Sequence, residues 1–414
     1  MASTLNETVR EDGLRIITKR LPYFKSVWLS VTASVGCADD GEGKEGFFHF
    51  FEHMAFKGTK TKDMFELKRI LASFLHSNAF TEHTHTTYLL GGLYTKRDEI
   101  KNILFDMYFN PSFPTAEIDK EKGIVLREVA EWKDEDSKFA WSELYKLLWK
   151  SNPLRRVGVG TPEGMAAINQ ELLIAAHKQW YRPSNTIVMG VGNLKHEWLV
   201  EKAFEFFTKD NGKAVHPAYS DEADDPLLCR EISFERKARE NAVVLIGCKV
   251  PQYSERELLA LKLLDWMFGV GFDSILFKEV RDKSGLAYAT GSHLSTNPLG
   301  NCWGFESEVG LKDIYDTRKL MEEIICGFEL DQEHLARMKA FWIENATLSL
   351  ETPHQWELLL LNKLIRDGKS VESLNNYIMR TRKDIASVTF EEVCELRNKL
   401  LIPEHLACVI LRPS

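Results

Sequence analysis

The chain has 414 residues, of which 44% are hydrophobic and 28% are charged, and its formal net charge is −8. This length exceeds one ordinary hydrophobic core and predicts two or three domains, and the composition is that of a globular protein. The acidic balance argues against a general nucleic-acid binder, and no apolar run approaches the roughly 20 residues that cross a bilayer. We therefore expect neither nucleic acid nor a membrane as a partner.

The cysteines and the start of the chain indicate a compartment. The seven cysteines are irregularly spaced and include no Cys-x-x-Cys pair. Such a set is typical of free thiols in a reducing compartment and excludes a cysteine-based zinc site, so histidine and carboxylate would have to hold any metal. The first residues lack the basic and apolar regions of a secretory signal. We expect a bacterial cytoplasmic protein, with an organelle matrix as the less favoured alternative.

Strand and helix patterns alternate along the first half. Alternation of apolar and small polar residues predicts strands, and apolar residues at helical spacing predict helices, with Asp63 as an N-cap. The predicted elements are a strand at 27–35, a helix at 63–75, a strand at 78–90, a helix at 98–109, a long acidic helix at 116–134, a second helix through Trp149, a strand at 186–191 and a helix at 196–207.

The composition changes at residues 210–226, which are rich in acids, Asn, Gly, Pro and Ser and offer little to bury. We therefore predict a first domain at 1–212, a linker at 213–226 and a second domain at 227–414. After the linker the order restarts, with strands at 242–250, 286–294, 301–309 and 406–411 and helices between them. The pattern predicts an α+β fold of two similar domains, each a mainly antiparallel sheet packed with helices.

The stretch His49-Phe50-Phe51-Glu52-His53 carries the strongest chemical signal. On a helix, His49 and His53 lie one turn apart and project from one face, as two ligands of a shared zinc ion must. Glu52 leans to the same side and can act as a general base. The pattern is H-x-x-E-H, the reverse of the commoner H-E-x-x-H zinc helix.

A catalytic zinc site needs a third protein ligand, and the acidic helix offers candidates. Glu121 and Glu128 are two helical turns apart and share a face, with apolar residues between them that indicate burial. Glu131 and Asp134 are typical of a solvated face. Spacing alone does not choose between Glu121 and Glu128.

The sequence of residues 49–59 resembles the metal helix of the pitrilysin/insulinase/mitochondrial processing peptidase family of zinc metallopeptidases, the inverzincins. That family places its third ligand in an E-x-x-x-x-x-x-E segment, which residues 121–128 match. The resemblance implies that Glu128 is the zinc ligand and that Glu121 assists catalysis by orienting a ligand histidine.

The resemblance covers nearly the whole chain. Residues 78–81 followed by 85–88 are similar to the family's edge strand, and residues 181–185 and 190–193 to the close of its first domain. Residues 277–288 match the segment whose Arg and Tyr reach the substrate. The resemblance thus implies substrate contact for Arg281, for Tyr288 and for four edge-strand residues: Asn78, Ala79, Phe80 and Thr81.

Three features depart from the family pattern or stand outside it. The family usually has a Gly pair before the edge strand, where this chain has residues 74–77, and commonly an Arg or Asn near Asp39 or Asp40. Both differences could alter the substrate groove. His83 and His85 are predicted on one strand face, where such side chains more often contact substrate or solvent than a metal.

Together these features predict a zinc metalloendopeptidase, with one Zn²⁺ per chain, that hydrolyses peptides or unfolded segments. Family members enclose their substrate in a chamber of four such domains, and this chain has two. We therefore expect a homodimer, with a heterodimer as the alternative partner arrangement. The competing function is a non-catalytic or partner-dependent subunit of a processing-peptidase-like complex.

Overall fold

The computed structural model describes residues 5–217, 219, 222, 225–237, 239–366 and 370–414. The positions outside the described residues are 1–4 in the predicted first domain, 218, 220, 221, 223 and 224 in the predicted linker, and 238 and 367–369 in the predicted second domain.

Two β-sheets organise the chain. The first has the strand order β1-β2-β6-β3-β5-β4, and β2–β6 is its only parallel pair among the described strands. Its strands are β1 (Leu5–Val9), β2 (Arg15–Arg20), β3 (Ser26–Ala33), β4 (His76–Thr81), β5 (Thr86–Leu93) and β6 (Thr186–Gly192).

The second sheet repeats this plan with one strand fewer, in the order β7-β11-β8-β10-β9. Its first pair, β7–β11, is parallel, and the other pairs are antiparallel. Its strands are β7 (Glu231–Arg236), β8 (Ala242–Val250), β9 (Ala287–Ser295), β10 (Asn301–Val309) and β11 (Ala407–Pro413). The predicted α+β fold of two similar, mainly antiparallel sheets packed with helices is confirmed.

Helices cover both sheets, and none of those described is long and apolar enough to cross a membrane. They are α1 (Phe47–Met54), α2 (Met64–Leu71), α3 (Arg97–Phe109), α4 (Thr115–Asp134), α5 (Asp136–Leu148), α6 (Pro162–Ala167), α7 (Gln170–Trp180), α8 (His196–Phe206), α9 (Glu255–Gly269), α10 (Ile314–Gly327), α11 (Gln332–Leu348), α12 (Pro353–Leu361), α13 (Val371–Ser387) and α14 (Phe390–Leu400).

The chain forms two compact units, and each takes a helical segment from the other half of the sequence. The first unit comprises Met1–Glu131, Arg156–Ala218 and Leu348–Ile378, and the rest of the chain forms the second. The change at residues 218–219 lies within the predicted linker at 213–226. The predicted domains, 1–212 and 227–414, are contiguous stretches, so they miss this exchange of helices.

The exchange follows from burial of both faces of each sheet. On one face of the first sheet, α1, α3, α4, α7 and α8 form the main core, and on the other Leu360 and Leu361 of α12 pack against Ile187 and Met189. In the second unit, Leu144 of α5 packs with other apolar residues on the face opposite α9, α10 and α14. Continuous apolar strands such as β8, in which every residue is buried, need cover on both sides.

The structure corrects the predicted strand at 78–90. It contains two strands, β4 and β5, which form a hairpin closed by a bond from the Glu82 N–H to the His85 carbonyl at 2.8 Å. His83 and His85 therefore lie in the turn between strands and do not share a strand face.

Three strands near the sheet margins, β1, β2 and β7, were not predicted, whereas β8 and β10 have the predicted bounds.

Candidate metal centre

The candidate metal centre is built on α1, which begins where the backbones of two glycines approach each other closely. Gly46, the N-cap, has φ 89°, and a Cβ there would meet the Cα of Gly160 at 2.4 Å. The buried Asp40 carboxylate accepts the N–H groups of Gly46 at 2.7 Å and Phe48 at 2.9 Å. Both bonds satisfy donors that the first turn of a helix leaves unpaired, so Asp40 holds the start of α1.

The apolar side chains of α1 are directed into the core, which leaves His49, Glu52 and His53 on the remaining face. The rings of His49 and His53 have centroids 4.7 Å apart. His49 donates from Nδ1 to the Val159 carbonyl at 3.2 Å, so its Nε2 carries the free lone pair. Burial, and then the neighbouring His53, lower the pKa of His49 to about 4, which keeps this ring neutral as a ligand must be.

His53 is oriented by Glu121, which it contacts through Nδ1 at 2.9 Å. The buried Lys57 forms an ion pair with the other oxygen of Glu121. Burial alone would raise the pKa of Glu121, but the bonds from His53 and Lys57 outweigh it and lower that pKa. Burial by itself would lower the pKa of His53, but the bond to Glu121 and the charges of the nearby carboxylates outweigh it, so the pKa of His53 is raised. With Nδ1 engaged, His53 also presents Nε2 to the site.

Glu128 completes a three-residue cluster with the two Nε2 atoms. Its Oε2 lies 3.8 Å from Nε2 of His49 and 3.5 Å from Nε2 of His53. Among the described residues, these three are the only group of His, Cys, Asp and Glu whose ligand atoms all lie within 4.8 Å of one another. Zinc bonds of about 2.0–2.2 Å in a tetrahedron separate ligand atoms by about 3.3–3.6 Å. The separation of 3.5 Å lies within this range and that of 3.8 Å lies slightly beyond it, so the donor set can accommodate zinc.

The geometry favours Glu128 over Glu121 as the third ligand, a choice that spacing left open. Glu128 points at the Nε2 atoms, and Glu121 points at the far side of His53. A carboxylate that accepts the Nδ1 proton of a metal-ligating histidine fixes the ring and raises its basicity.

Glu52 lies on the same face of α1 and is 8% exposed. Its Oε2 accepts the Thr81 hydroxyl at 2.7 Å. Burial raises the pKa of Glu52, and the Thr81 bond opposes this rise. A carboxylate with a raised pKa is a stronger base than a solvated one, which suits proton transfer near neutral pH.

Comparison with known proteins supplies the family. Residues 15–161 match the model described as Insulinase (Peptidase family M16), and residues 167–341 match that of the Peptidase M16 inactive domain. A protein of Rickettsia bellii named an uncharacterized zinc protease is 31% identical over 300 residues, which are 71% of each chain. The chain belongs to the insulinase family of peptidases. The names of its relatives imply zinc as the metal.

Relatives of similar length and fold extend this likeness over the whole chain. The uncharacterized zinc protease YmxG of Bacillus subtilis is 25% identical over 412 residues, covering 98% of this chain and 97% of its own. A crystal structure of a protease from Helicobacter pylori matches the fold with a TM-score of 0.90 at 19% identity, over the full length of both chains. A Peptidase M16 inactive domain from Pseudomonas fluorescens reaches 0.83 at 17% identity, covering 99% and 98% of the two chains.

The predicted substrate strand of this insulinase-family chain is β4, which is an edge of the first sheet. Asn78 is exposed, whereas Ala79 packs against the main core and Phe80 against the apolar cluster on the opposite face. The Thr81 hydroxyl donates a hydrogen bond to Glu52. Backbone pairing of this strand with a peptide stays a prediction.

Arg281 and Tyr288 belong to the second compact unit. Arg281 lies in the π-helical segment Phe277–Lys283, with its guanidinium 4.7 Å from the centroid of the Phe277 ring. Tyr288 is 75% exposed near the start of β9. Both side chains are near the surface of that unit, and their roles toward a substrate stay predictions.

The two histidines of the β4–β5 turn are not part of the three-residue cluster. Burial lowers the pKa of His83 to about 4, and His85 is buried with its ring 6.0 Å from that of Phe80.

Sequence reasoning missed two residues that contact the proposed ligands, Lys57 and Val159. Lys57 is four residues after His53, a spacing that places side chains on one helical side, and Val159 lies between two glycines, a signal of close backbone approach.

Proposed function

We propose that the protein is a zinc-dependent endopeptidase that hydrolyses peptides or unfolded segments. The observation that carries this proposal is the convergence of His49, His53 and Glu128, with the buried carboxylate of Glu52 beside them on α1. Zinc bound there supplies a Lewis acid that acidifies water and polarises a peptide carbonyl.

The protein's own groups then account for proton movement. Glu52 accepts a proton from the attacking water and passes it to the leaving amine, as a general base and then a general acid. The Thr81 hydroxyl orients Glu52, and the Glu121 carboxylate orients His53. Arg281 and Tyr288 bind the peptide and stabilise the developing oxyanion, a part that the family resemblance supports.

The substrate is proposed to be an extended peptide. The edge position of β4 leaves one row of backbone groups without a strand partner among the described strands, which allows a peptide to pair by strand addition. We further propose that two copies of the chain close the chamber, because each copy carries two units of like topology and family chambers have four.

The decisive experiment compares the wild type with Glu52→Gln. The wild type is expected to hold about one zinc per chain by elemental analysis and to cleave an unstructured peptide of roughly 15–40 residues. Glu52→Gln should keep the zinc and lose at least about a hundredfold in kcat, because the amide cannot take the proton. Glu131→Gln, the same change at an exposed position of α4, is the matched control and should leave both unchanged.

Full activity in Glu52→Gln, or in metal-free wild type, would refute the mechanism. Zinc binding without cleavage by the purified wild type would favour the partner-dependent subunit instead. Sedimentation of the active species tests the homodimer.

A further inference from the structure

The helix α12 covers the face of the first sheet that lies opposite the helices of the metal centre. It comes from the second half of the sequence but belongs to the first compact unit, where it contacts β3 and β6. Its Leu360 and Leu361 enter an apolar cluster with Ile187 and Met189 of β6. The other face is covered by helices from the sheet's own half of the chain, so α12 is an added cover.

A buried carboxyl group lies under this helix. Glu357 is 0% exposed and precedes Leu360 and Leu361 by three and four residues, so it shares their sheet-facing side. Neither of its oxygens has a hydrogen-bond partner among the described residues, and neither does the hydroxyl of Ser30 on β3. Because burial of a charged carboxylate without donors is costly, this position favours a protonated carboxyl group.

His354, one turn earlier in α12, is close enough to share a proton with Glu357. Its Nδ1 lies 3.7 Å from Oε2 of Glu357 and has no hydrogen-bond partner among the described residues. Its ring stacks on that of Trp28 in β3, with centroids 3.9 Å apart and planes at 19°. The ring of His76, the first residue of β4, lies 5.4 Å from the His354 ring. The first turn of α12 therefore lies beside the start of the proposed substrate strand.

The described elements packed against α12 present few charges to Glu357. No residue of β3 or β6 is ionisable, and Lys19 of β2 lies 4.4 Å from the centroid of the Trp356 ring. The chain after α12 contributes apolar residues to the cluster. Burial raises the pKa of Glu357, and the nearby His354 and Ser30 oppose the rise without cancelling it.

We propose that α12 is a pH-dependent cover, which is docked on the first sheet while Glu357 holds a proton and is released as Glu357 ionises. In water the carboxyl group has its ordinary pKa of 4.5, and docking raises that pKa. The docked form thus binds the proton more tightly. Docking is therefore strongest below pH 4.5 and weakens as pH rises toward the pKa of the docked group, by about tenfold per pH unit for one proton.

Release of α12 removes neighbours of Trp28 and His76, so the sheet that carries β4 loses its cover on one face. The proposal depends neither on zinc nor on peptidase activity, and it is tested on the full chain without substrate.

The test is hydrogen–deuterium exchange of the full chain, read by mass spectrometry from about pH 5 to about pH 8. A helix of 9 residues is marginal when it stands alone, so the α12 amides exchange when the helix is released. Base-catalysed exchange by itself rises about tenfold per pH unit, and the loss of one proton on release adds about tenfold, which gives about a hundredfold per unit until docked Glu357 is ionised. The amides of β6, which pairs with β2 and β3 on its two edges, should follow the tenfold dependence alone.

Three variants assign the proton to Glu357. Glu357→Gln cannot ionise, so α12 should show only the tenfold dependence and should exchange more slowly than the wild type at the highest pH. Glu351→Gln, the same change at an exposed position just before α12, should behave as the wild type. Glu357→Asp keeps an ionisable group and should retain a dependence steeper than tenfold.

A merely tenfold dependence of α12 in the wild type, which needs no variant to fold, would overturn the proposal. A steeper dependence that survives in Glu357→Gln would do the same, because another group would then carry the proton. Exchange of α12 and β6 that steepens together would indicate unfolding of the whole unit and would refute a separately released cover.

Discussion

Replacing Thr81 with Val separates its bond to Glu52 from a contact with substrate. The Thr81 hydroxyl donates to Oε2 of Glu52 at 2.7 Å, and this bond favours the charged form of a carboxylate whose pKa burial raises. Val has the same shape but cannot donate, so the pKa of Glu52 rises further in the variant. Because Glu52 must be deprotonated to accept a proton, activity is lost on the acid side and recovers as pH increases.

The size of the effect follows from the bond that is removed. A hydrogen bond to a charged group contributes about 1.5–3 kcal/mol, which is about a tenfold to hundredfold change in a protonation equilibrium. The variant should therefore lose about tenfold to hundredfold in kcat/KM on the acid limb and approach the wild-type plateau at high pH. Zinc content should not change, since Thr81 bonds none of the three proposed ligands.

The assay is the pH profile of kcat/KM for the wild type, Thr81→Val, Thr81→Ser and Asn78→Ala. Thr81→Ser keeps the hydroxyl and should restore the wild-type acid limb. Asn78→Ala changes an exposed residue of the same strand and should affect KM without moving that limb. A loss of kcat/KM in Thr81→Val that is equal at every pH and arises from KM would refute the reasoning and indicate that Thr81 contacts the substrate.

Two further predictions concern the metal and the fold. Glu121→Gln weakens the bond that orients His53 and should reduce zinc affinity about tenfold to hundredfold in a chelator competition, whereas an unchanged affinity would remove Glu121 from the site. Glu222 accepts the N–H groups of residues 150–152; burial would raise its pKa, but these bonds lower it from 4.5 to about 2. The resulting stabilisation, about 3 kcal/mol, is complete above pH 4.5 and is lost as pH falls toward 2. In urea denaturation, Glu222→Gln should therefore be less stable than the wild type at pH 7 and approach the wild-type stability in acid. A difference in unfolding free energy that does not narrow in acid would contradict this origin.

Local sequence patterns predicted those elements whose conformation is determined mainly by neighbouring residues in the chain. The apolar run of β8, the Asp63 N-cap of α2 and the end of α3 before Asn110 were all predicted from sequence. The strands β1 and β2 were missed because exposed residues interrupt the apolar signal of β1 and polar residues, including the buried Thr18 and Lys19, interrupt that of β2; only pairing across the sheet makes them strands.

The sequence by itself indicated the two histidines proposed to bind the metal, the glutamate proposed as the base and the repeat of an α+β plan, because helical spacing places His49, Glu52 and His53 on one face wherever α1 packs. Tertiary structure decided which carboxylate of α4 faces the two Nε2 atoms, since two residues on one helical face differ only in what lies opposite them. It also decided the donation of Thr81 to Glu52 and the exchange of α5 and α12 between units. Both depend on residues distant in sequence that meet only in the folded chain.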